Sequence, residues 1–246
     1  MEEKITAIVC AYNEEKTIEN VLSGINKNSK IDEIIVVNDG STDNTLEVLN
    51  NIKTKIDVNI INFQKNKGKG YALTTGIENA KNNLLVFFDA DLINMEPEYI
   101  DILIKPILNN EASLVLGQPE ETKIPYKINP FKLLTGQRAL LKNDIKPLLK
   151  KMKTSRFGVE SLMFLYYTAL SKEILIIPLK GLKFLTKFEK TNIKDASAGF
   201  TVELMEIINT LYKHKGYIYK ILRKRIKNKN KSLINFIHNR DLQVYQ

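Results

Sequence analysis

Two aspartates one residue apart, Asp89-Ala90-Asp91, follow directly on the apolar run Asn83 to Phe88, NLLVFF. A strand that ends in two phenylalanines and then presents two carboxylates sets both acids at the lip of a sheet, where burying them unpaired is costly. A divalent cation bridging them to a diphosphate removes that conflict, because Mg²⁺ or Mn²⁺ takes one or two carboxylates together with phosphate oxygens. A D-x-D alone carries little weight in a chain with ten aspartates, and its place after a strand carries more. Two further polar clusters stand in the same place: Ala11-Tyr12-Asn13-Glu14 after KITAIVC, and Asn38-Asp39-Gly40-Ser41 closing EIIVVN.

The elements that must position these clusters alternate. After the first strand-like run, Ile18, Val21, Leu22 and Ile25 follow helical spacing. The second run leads to a helix carrying Thr45, Val48 and Leu49, with Ser41 or Thr42 as its cap. A strand at Val58 to Phe63, a helix at Gly68 to Ala80, the NLLVFF strand, a helix at Glu96 to Leu108 and a strand at Ser113 to Gly117 complete the set. Strands apolar throughout, alternating with amphipathic helices, predict an α/β fold with a mostly parallel sheet covered on both faces. Ligands in such sheets gather at the carboxyl ends of the strands, where all three polar clusters lie. From Glu120 onward the pattern changes to a loop with Pro125 and Pro130 and then mostly helices, with one strand-like stretch at Ile174 to Leu179.

A chain of 246 residues with 43% hydrophobic residues can bury one full core. The single cysteine, Cys10, excludes an internal disulfide and reads as a buried strand residue rather than a nucleophile. An acidic start, Met1-Glu-Glu-Lys, differs from a signal peptide, and the longest apolar stretch, Ser161 to Leu179, is interrupted by Lys172, Glu173 and Pro178. The expected location is therefore cytoplasmic. Net charge is +9, and ten Lys or Arg between Leu211 and Arg240 are accompanied by no Asp or Glu. Those cations are interleaved with Tyr212, Tyr217, Tyr219, Leu222 and Phe236, a mixture that suits an anionic bilayer surface ahead of solvent, and nucleic acid least. His214 and His238 fall in this tail and read as solvated. Asn66-Lys-Gly-Lys-Gly lacks the spacing of a P-loop.

Four runs in order, IVCAYNEEKTI, VVNDGSTDNT, NKGKGYAL and FFDAD, resemble the donor domain of family 2 glycosyltransferases with the GT-A (Rossmann-like) fold, over about Ile5 to Gly117. The resemblance implies that Ala11, Tyr12, Glu14 and Asp39 line the nucleoside pocket and that Lys69 approaches the base or diphosphate. It further implies that Asp89, beside Ala90, faces the ribose or metal and that Asp91 ligates Mg²⁺ or Mn²⁺. Leu134-Thr-Gly-Gln-Arg-Ala-Leu and Arg156-Phe-Gly-Val-Glu-Ser-Leu resemble the acceptor region of polyprenyl-phosphate and phosphoglycerate glycosyltransferases. There Gly136 would let backbone approach a ligand, Gln137 would join it, and Arg138 and Arg156 would offer forked donors to a phosphate. Glu160 has two plausible roles, general base for an acceptor hydroxyl or partner of sugar hydroxyls. Related enzymes often carry a His near the last strand; here Lys183 or Lys187 stands in that region.

The expectation is thus a metal-dependent hexosyltransferase in three segments: donor-binding 1–118, acceptor-binding 119–210 and a basic amphipathic helical tail 211–246. It would take a UDP- or GDP-sugar and a lipid or lipid-phosphate acceptor, peripherally at the inner face of the membrane. A homo-oligomer is compatible with the sequence. The alternatives are transfer to a small phosphorylated acceptor such as phosphoglycerate, a sugar nucleotidyltransferase, and a non-catalytic surface-binding module. The nucleotidyltransferase reading lacks its usual Gly-rich basic loop after the first strand.

Overall fold

The computed structural model describes residues 3–119, 135–155, 158–184 and 205–224. β1 (Ile5–Ala11), α1 (Ile18–Asn26), β2 (Ile31–Asn38), α2 (Thr45–Lys53), β3 (Asn59–Asn62), α3 (Lys69–Asn79), β4 (Leu84–Asp89), α4 (Glu98–Leu108) and β5 (Leu114–Pro119) alternate as the sequence pattern requires. They are followed by β6 (Arg138–Leu141), α5 (Lys142–Ile145), a 3₁₀ turn, α6 (Leu149–Met152), α7 (Val159–Ala169) and β7 (Ile174–Leu179). Residues 205–213 and 215–224 are helical.

One seven-stranded sheet runs in the order β3-β2-β1-β4-β6-β5-β7. β1 pairs in parallel with β2 and β4, β2 with β3, and β5 with β7, while β6 lies antiparallel between β4 and β5. This is the α/β architecture with a mostly parallel sheet that the strand and helix pattern predicts. The period-2 alternation of each strand sends its side chains to two separate cores. Ala7, Val9 and Ala11 pack with Val21, Leu22 and Ile25 of α1 and Leu103, Ile104 and Ile107 of α4. Ile8 packs with Ala72 and Ile77 of α3 and with Leu162, Met163 and Tyr167 of α7. Complete burial of Ile18, Val21, Leu22 and Ile25 is why the helical spacing of α1 was readable.

The structure corrects the reading of the elements in two places, and His214, expected to be solvated, is buried. Arg138–Leu141, expected in a mostly helical region, is a strand inserted into the sheet, so β6 and β7 complete the sheet begun by residues 5–119. Ser41 and Thr42 do not cap α2, whose N-cap position is Asn44. The Ser41 hydroxyl instead donates to Asn38 Oδ1 (2.5 Å) and accepts from the Asn13 backbone N–H (2.9 Å), tying the loops after β1 and β2 together.

Candidate active site

Strand register brings the three polar clusters to one edge. Ala11 is aligned with Asn38 across β1 and β2, and Cys10 with Asp89 across β1 and β4. Parallel strands of matched length end together, so their loops open on the same side. The Asp39 N–H donates to the Ala11 carbonyl (2.8 Å), closing the seam between the first two loops. Ala11 is buried, Tyr12 is 45% exposed, and Glu14 is partly buried at the mouth. The Glu14 backbone N–H donates to Thr45 Oγ1 (2.8 Å) and its carboxylate accepts from Thr17 Oγ1 (3.2 Å).

Asp39 is 3% exposed, and its two oxygens accept the backbone N–H groups of Lys67 (2.7 Å) and Gly68 (2.9 Å). Its demonstrated part is therefore to anchor the loop preceding α3. Gly68 sits at φ 92°, a backbone conformation that favours glycine, and the turn it makes delivers Lys69 as the first residue of α3. The Lys69 ammonium is then held between two carboxylates, Asp89 Oδ1 and Glu160 Oε1, each at 2.7 Å. The second Asp89 oxygen accepts from Gln137 Nε2 (3.1 Å). Below them Arg138, 1% exposed, contacts Met163 Sδ (3.3 Å) and the Thr135 carbonyl.

Two cations and two carboxylates thus meet in a water-poor floor. Burial works against the Lys69 ammonium, but Asp89 and Glu160 outweigh it and hold its pKa above the ordinary lysine value. Burial likewise works against the Asp89 carboxylate, yet Lys69, with help from Arg138 and Gln137, holds its pKa below the ordinary aspartate value. Burial lowers Arg138, with Glu160 and Asp89 opposing. Burial raises the Cys10 thiol despite the nearby Lys69, which agrees with its reading as a strand residue and not a nucleophile. Asp89 therefore contributes stability above its unfolded pKa, and that contribution is lost as pH falls through the depressed folded value. The difference in unfolding midpoint between the wild type and Asp89→Asn should be constant near neutrality and shrink below about pH 4. A thermal titration checks this.

Three of the expected acceptor contacts lie in the floor of the site. Arg138 and Gln137 are buried in the sheet layer, where they hold the charge cluster and present no fork to a ligand. Gly136 does permit a close approach, but of Asp89: a Cβ there would lie 2.0 Å from Asp89 Oδ1. Gly136→Ala should displace that carboxylate and destabilise the protein by about 1–3 kcal/mol, as overpacking does; denaturant unfolding measures it. Arg156, the fourth expected contact, and Lys187 lie outside the described residues. Glu160, in the first turn of α7, is 4% exposed and paired with Lys69. Cys10, Lys69, Asp89, Gly136, Arg138 and Glu160 surround a gap of only about 10 Å³, room for roughly one water. Substrates of sugar size must sit above this floor.

Ala90 is buried and Asp91 partly exposed, where the chain leaves β4. Beyond them the chain is fastened to residues 181–184: Leu92 bridges to Phe184, Ile93 N–H donates to the Lys183 carbonyl (2.9 Å), and Lys183 N–H donates to Asn94 Oδ1 (2.9 Å). The backbone of Lys183 is thereby brought beside the D-x-D segment. Among the described residues no group of three or more His, Cys, Asp or Glu could cage a metal. A cation held by one or two carboxylates and completed by diphosphate oxygens does fit this donor set. Asn13, with φ 58°, accepts the Thr42 N–H at Oδ1 (2.8 Å), and neither this loop-tying role nor the bond from Gln137 to Asp89 is signalled by the local sequence.

An α/β sheet with acids and a lysine gathered at its carboxyl edge is the architecture of the GT-A glycosyltransferases. The model for "Glycosyl transferase family 2" matches residues 6–212, and the chain belongs to that family. It is 32% identical to a UDP-N-acetylglucosamine–dolichyl-phosphate N-acetylglucosaminyltransferase of Methanococcus voltae over 152 residues, 55% of this chain and 60% of that protein. It is 43% identical over 93 residues to a poly-beta-1,6-N-acetyl-D-glucosamine synthase of Staphylococcus aureus (strain COL), covering 37% of this chain and 22% of the synthase. The chain thus spans about a fifth of that synthase's length. In fold it is similar to glucosyl-3-phosphoglycerate synthase of Mycobacterium tuberculosis in complex with Mg²⁺ and UDP, with TM-score 0.70 and 22% identity over 87% of this chain and 80% of that one. The same synthase with Mn²⁺, UDP-glucose and phosphoglyceric acid gives TM-score 0.68 at 23% identity, covering the same shares.

Proposed function

We propose that this family 2 glycosyltransferase moves a hexose from a UDP- or GDP-sugar to a phosphate-bearing lipid acceptor, with a divalent cation at Asp91. The observation that carries the reading is the alignment of Ala11 with Asn38 and of Cys10 with Asp89 at one edge of the parallel strands, with Asp39 bonded to Ala11, Lys69 paired to Asp89, and Asp91 two residues beyond. Tyr12 and Glu14 border the nucleoside, and Asp39 holds the loop that delivers Lys69. Lys69 keeps a fixed positive charge beneath the diphosphate, and Asp89 with Glu160 positions it. A cation, when bound, supplies further charge against the leaving nucleoside diphosphate. Most of the rate then comes from charges already in place before the reaction begins.

A phosphate acceptor is anionic at neutral pH and attacks the anomeric carbon without a general base. That accords with Glu160 being occupied by Lys69. The lipid-phosphate choice draws support from the Methanococcus voltae relative, which is named for a dolichyl-phosphate acceptor. Transfer assays with UDP- and GDP-hexoses test the reading, with polyprenyl phosphate and phosphoglycerate offered separately as acceptors. Transfer to polyprenyl phosphate is expected. Transfer to phosphoglycerate alone would replace the lipid acceptor by a small one, and release of nucleotide from neither would refute the proposal.

A further inference from the structure

The helical residues 205–224 dock against the body of the protein by one face. Thr210 and His214 are buried, Tyr217 meets Tyr166 edge-on with ring centroids 5.9 Å apart, and Lys224 Nζ donates to the Ala169 carbonyl (3.0 Å) and Ser171 Oγ (2.7 Å). The opposite face carries Met205, Ile208, Tyr212, Tyr219 and Leu222, exposed by 59, 49, 72, 66 and 48%. Met205, Ile208 and Tyr212, spaced by three and four, share one face of the first helical piece, and Tyr219 and Leu222, spaced by three, share one face of the second, each opposite the buried side. Exposed Lys213, Lys215, Lys220 and Arg223 flank or interrupt that stripe, and Glu206 is the one acid between 205 and 224. No helix among the described residues is long and apolar enough to cross a membrane.

We infer that this outer face lies flat on an anionic lipid surface, with the two exposed tyrosines and the aliphatic residues entering the headgroup layer and the cations meeting lipid phosphates. An apolar stripe edged by cations is the composition that interfacial helices use, and tyrosine favours that depth. Charge decides against a second copy of the chain as occupant, because pairing two such stripes would bring the same cations together. Lys215 would stand within that contact. The inference takes its purpose from the lipid-borne acceptor of the proposed function, but binding is measurable without transfer.

Full-length protein is sedimented with phosphatidylcholine vesicles with and without phosphatidylglycerol, at low and high salt. Binding is expected only with phosphatidylglycerol and should weaken in salt, since exposed charges are screened. Lys213→Gln with Lys220→Gln should reduce partitioning about twenty-five-fold, taking roughly fivefold per cation. Tyr212→Ser with Leu222→Ser, both at exposed positions, should abolish binding while circular dichroism and the unfolding midpoint stay unchanged. Absence of vesicle binding by the wild type, or binding indifferent to both double variants, overturns the inference. So does lipid-free dimerisation that Tyr212→Ser with Leu222→Ser removes, which would assign the stripe to a second copy. Vesicle binding without any transfer faults the proposed function alone, and transfer without vesicle binding faults this inference alone.

Discussion

Replacing Lys69 by Ala is expected to lower both stability and transfer more than any other single change at the site. Lys69 is ion-paired with both Asp89 and Glu160, and its removal leaves two carboxylates facing one another in a floor where their side chains are 22% and 5% exposed. Removing one member of a buried ion pair typically costs about 3–5 kcal/mol, because the remaining charge stays desolvated. Arg138 beneath them compensates only in part, since it already balances the same two acids. A denaturant titration should show the loss as a shifted midpoint with little change in slope. The double variant Lys69→Ala with Glu160→Gln separates the two effects. It removes one of the stranded charges, so stability should return in large part, while transfer stays low because the positive charge beneath the diphosphate is gone. Full recovery of transfer in that variant would show that Lys69 acts only in folding.

Asp91→Asn should give the opposite profile, a large loss of transfer with a folded protein of nearly native stability. The side chain lies partly exposed where the chain leaves β4, and the neutral amide keeps its size. If Asp91 holds the cation, removing its charge should reduce transfer by about 10²–10³, the scale seen when one preorganised electrostatic group is lost. A thermal-shift panel supplies the second readout. In the wild type, a nucleoside diphosphate with Mn²⁺ at about 100 times its dissociation constant should stabilise by about 2.7 kcal/mol. Asp91→Asn should lose the part of that shift that depends on Mn²⁺ and keep any part given by the nucleotide alone. An unchanged Mn²⁺-dependent shift would remove Asp91 from the cation site. Asp89→Asn is the informative contrast, because its carboxylate is engaged by Lys69 and Gln137 and its loss should register in stability as well.

Much of this molecule is legible from local pattern. KITAIVC, EIIVVN and NLLVFF are strands, and Ile18, Val21, Leu22 and Ile25 form the buried face of a helix, because burial on both faces of a parallel sheet leaves a continuous apolar run and a 3.6-residue period. The positions of Asp39, Asp89 and Asp91 at strand ends follow from the same pattern, since polarity begins where the strand stops. Even Ile174–Leu179 stands out, as six residues rich in β-branched side chains.

What the residues do to one another is a different matter, and only the folded chain decides it. β6 has four residues and begins with an arginine, so no period announces it, yet its insertion between β4 and β5 carries Gln137 and Arg138 under Asp89. Arg138 and Gln137 read as ligand contacts in the sequence because arginine and glutamine are ordinarily exposed; burial among compensating charges is a property of strand pairing, which local spacing does not encode. The meeting of Lys69, Asp89 and Glu160 joins α3, β4 and α7, elements far apart in the chain. Composition and periodicity therefore determined which elements form and where their polar ends lie. Long-range register determined which charges became partners, because an ion pair depends on distance in space and a sequence pattern records only distance along the chain.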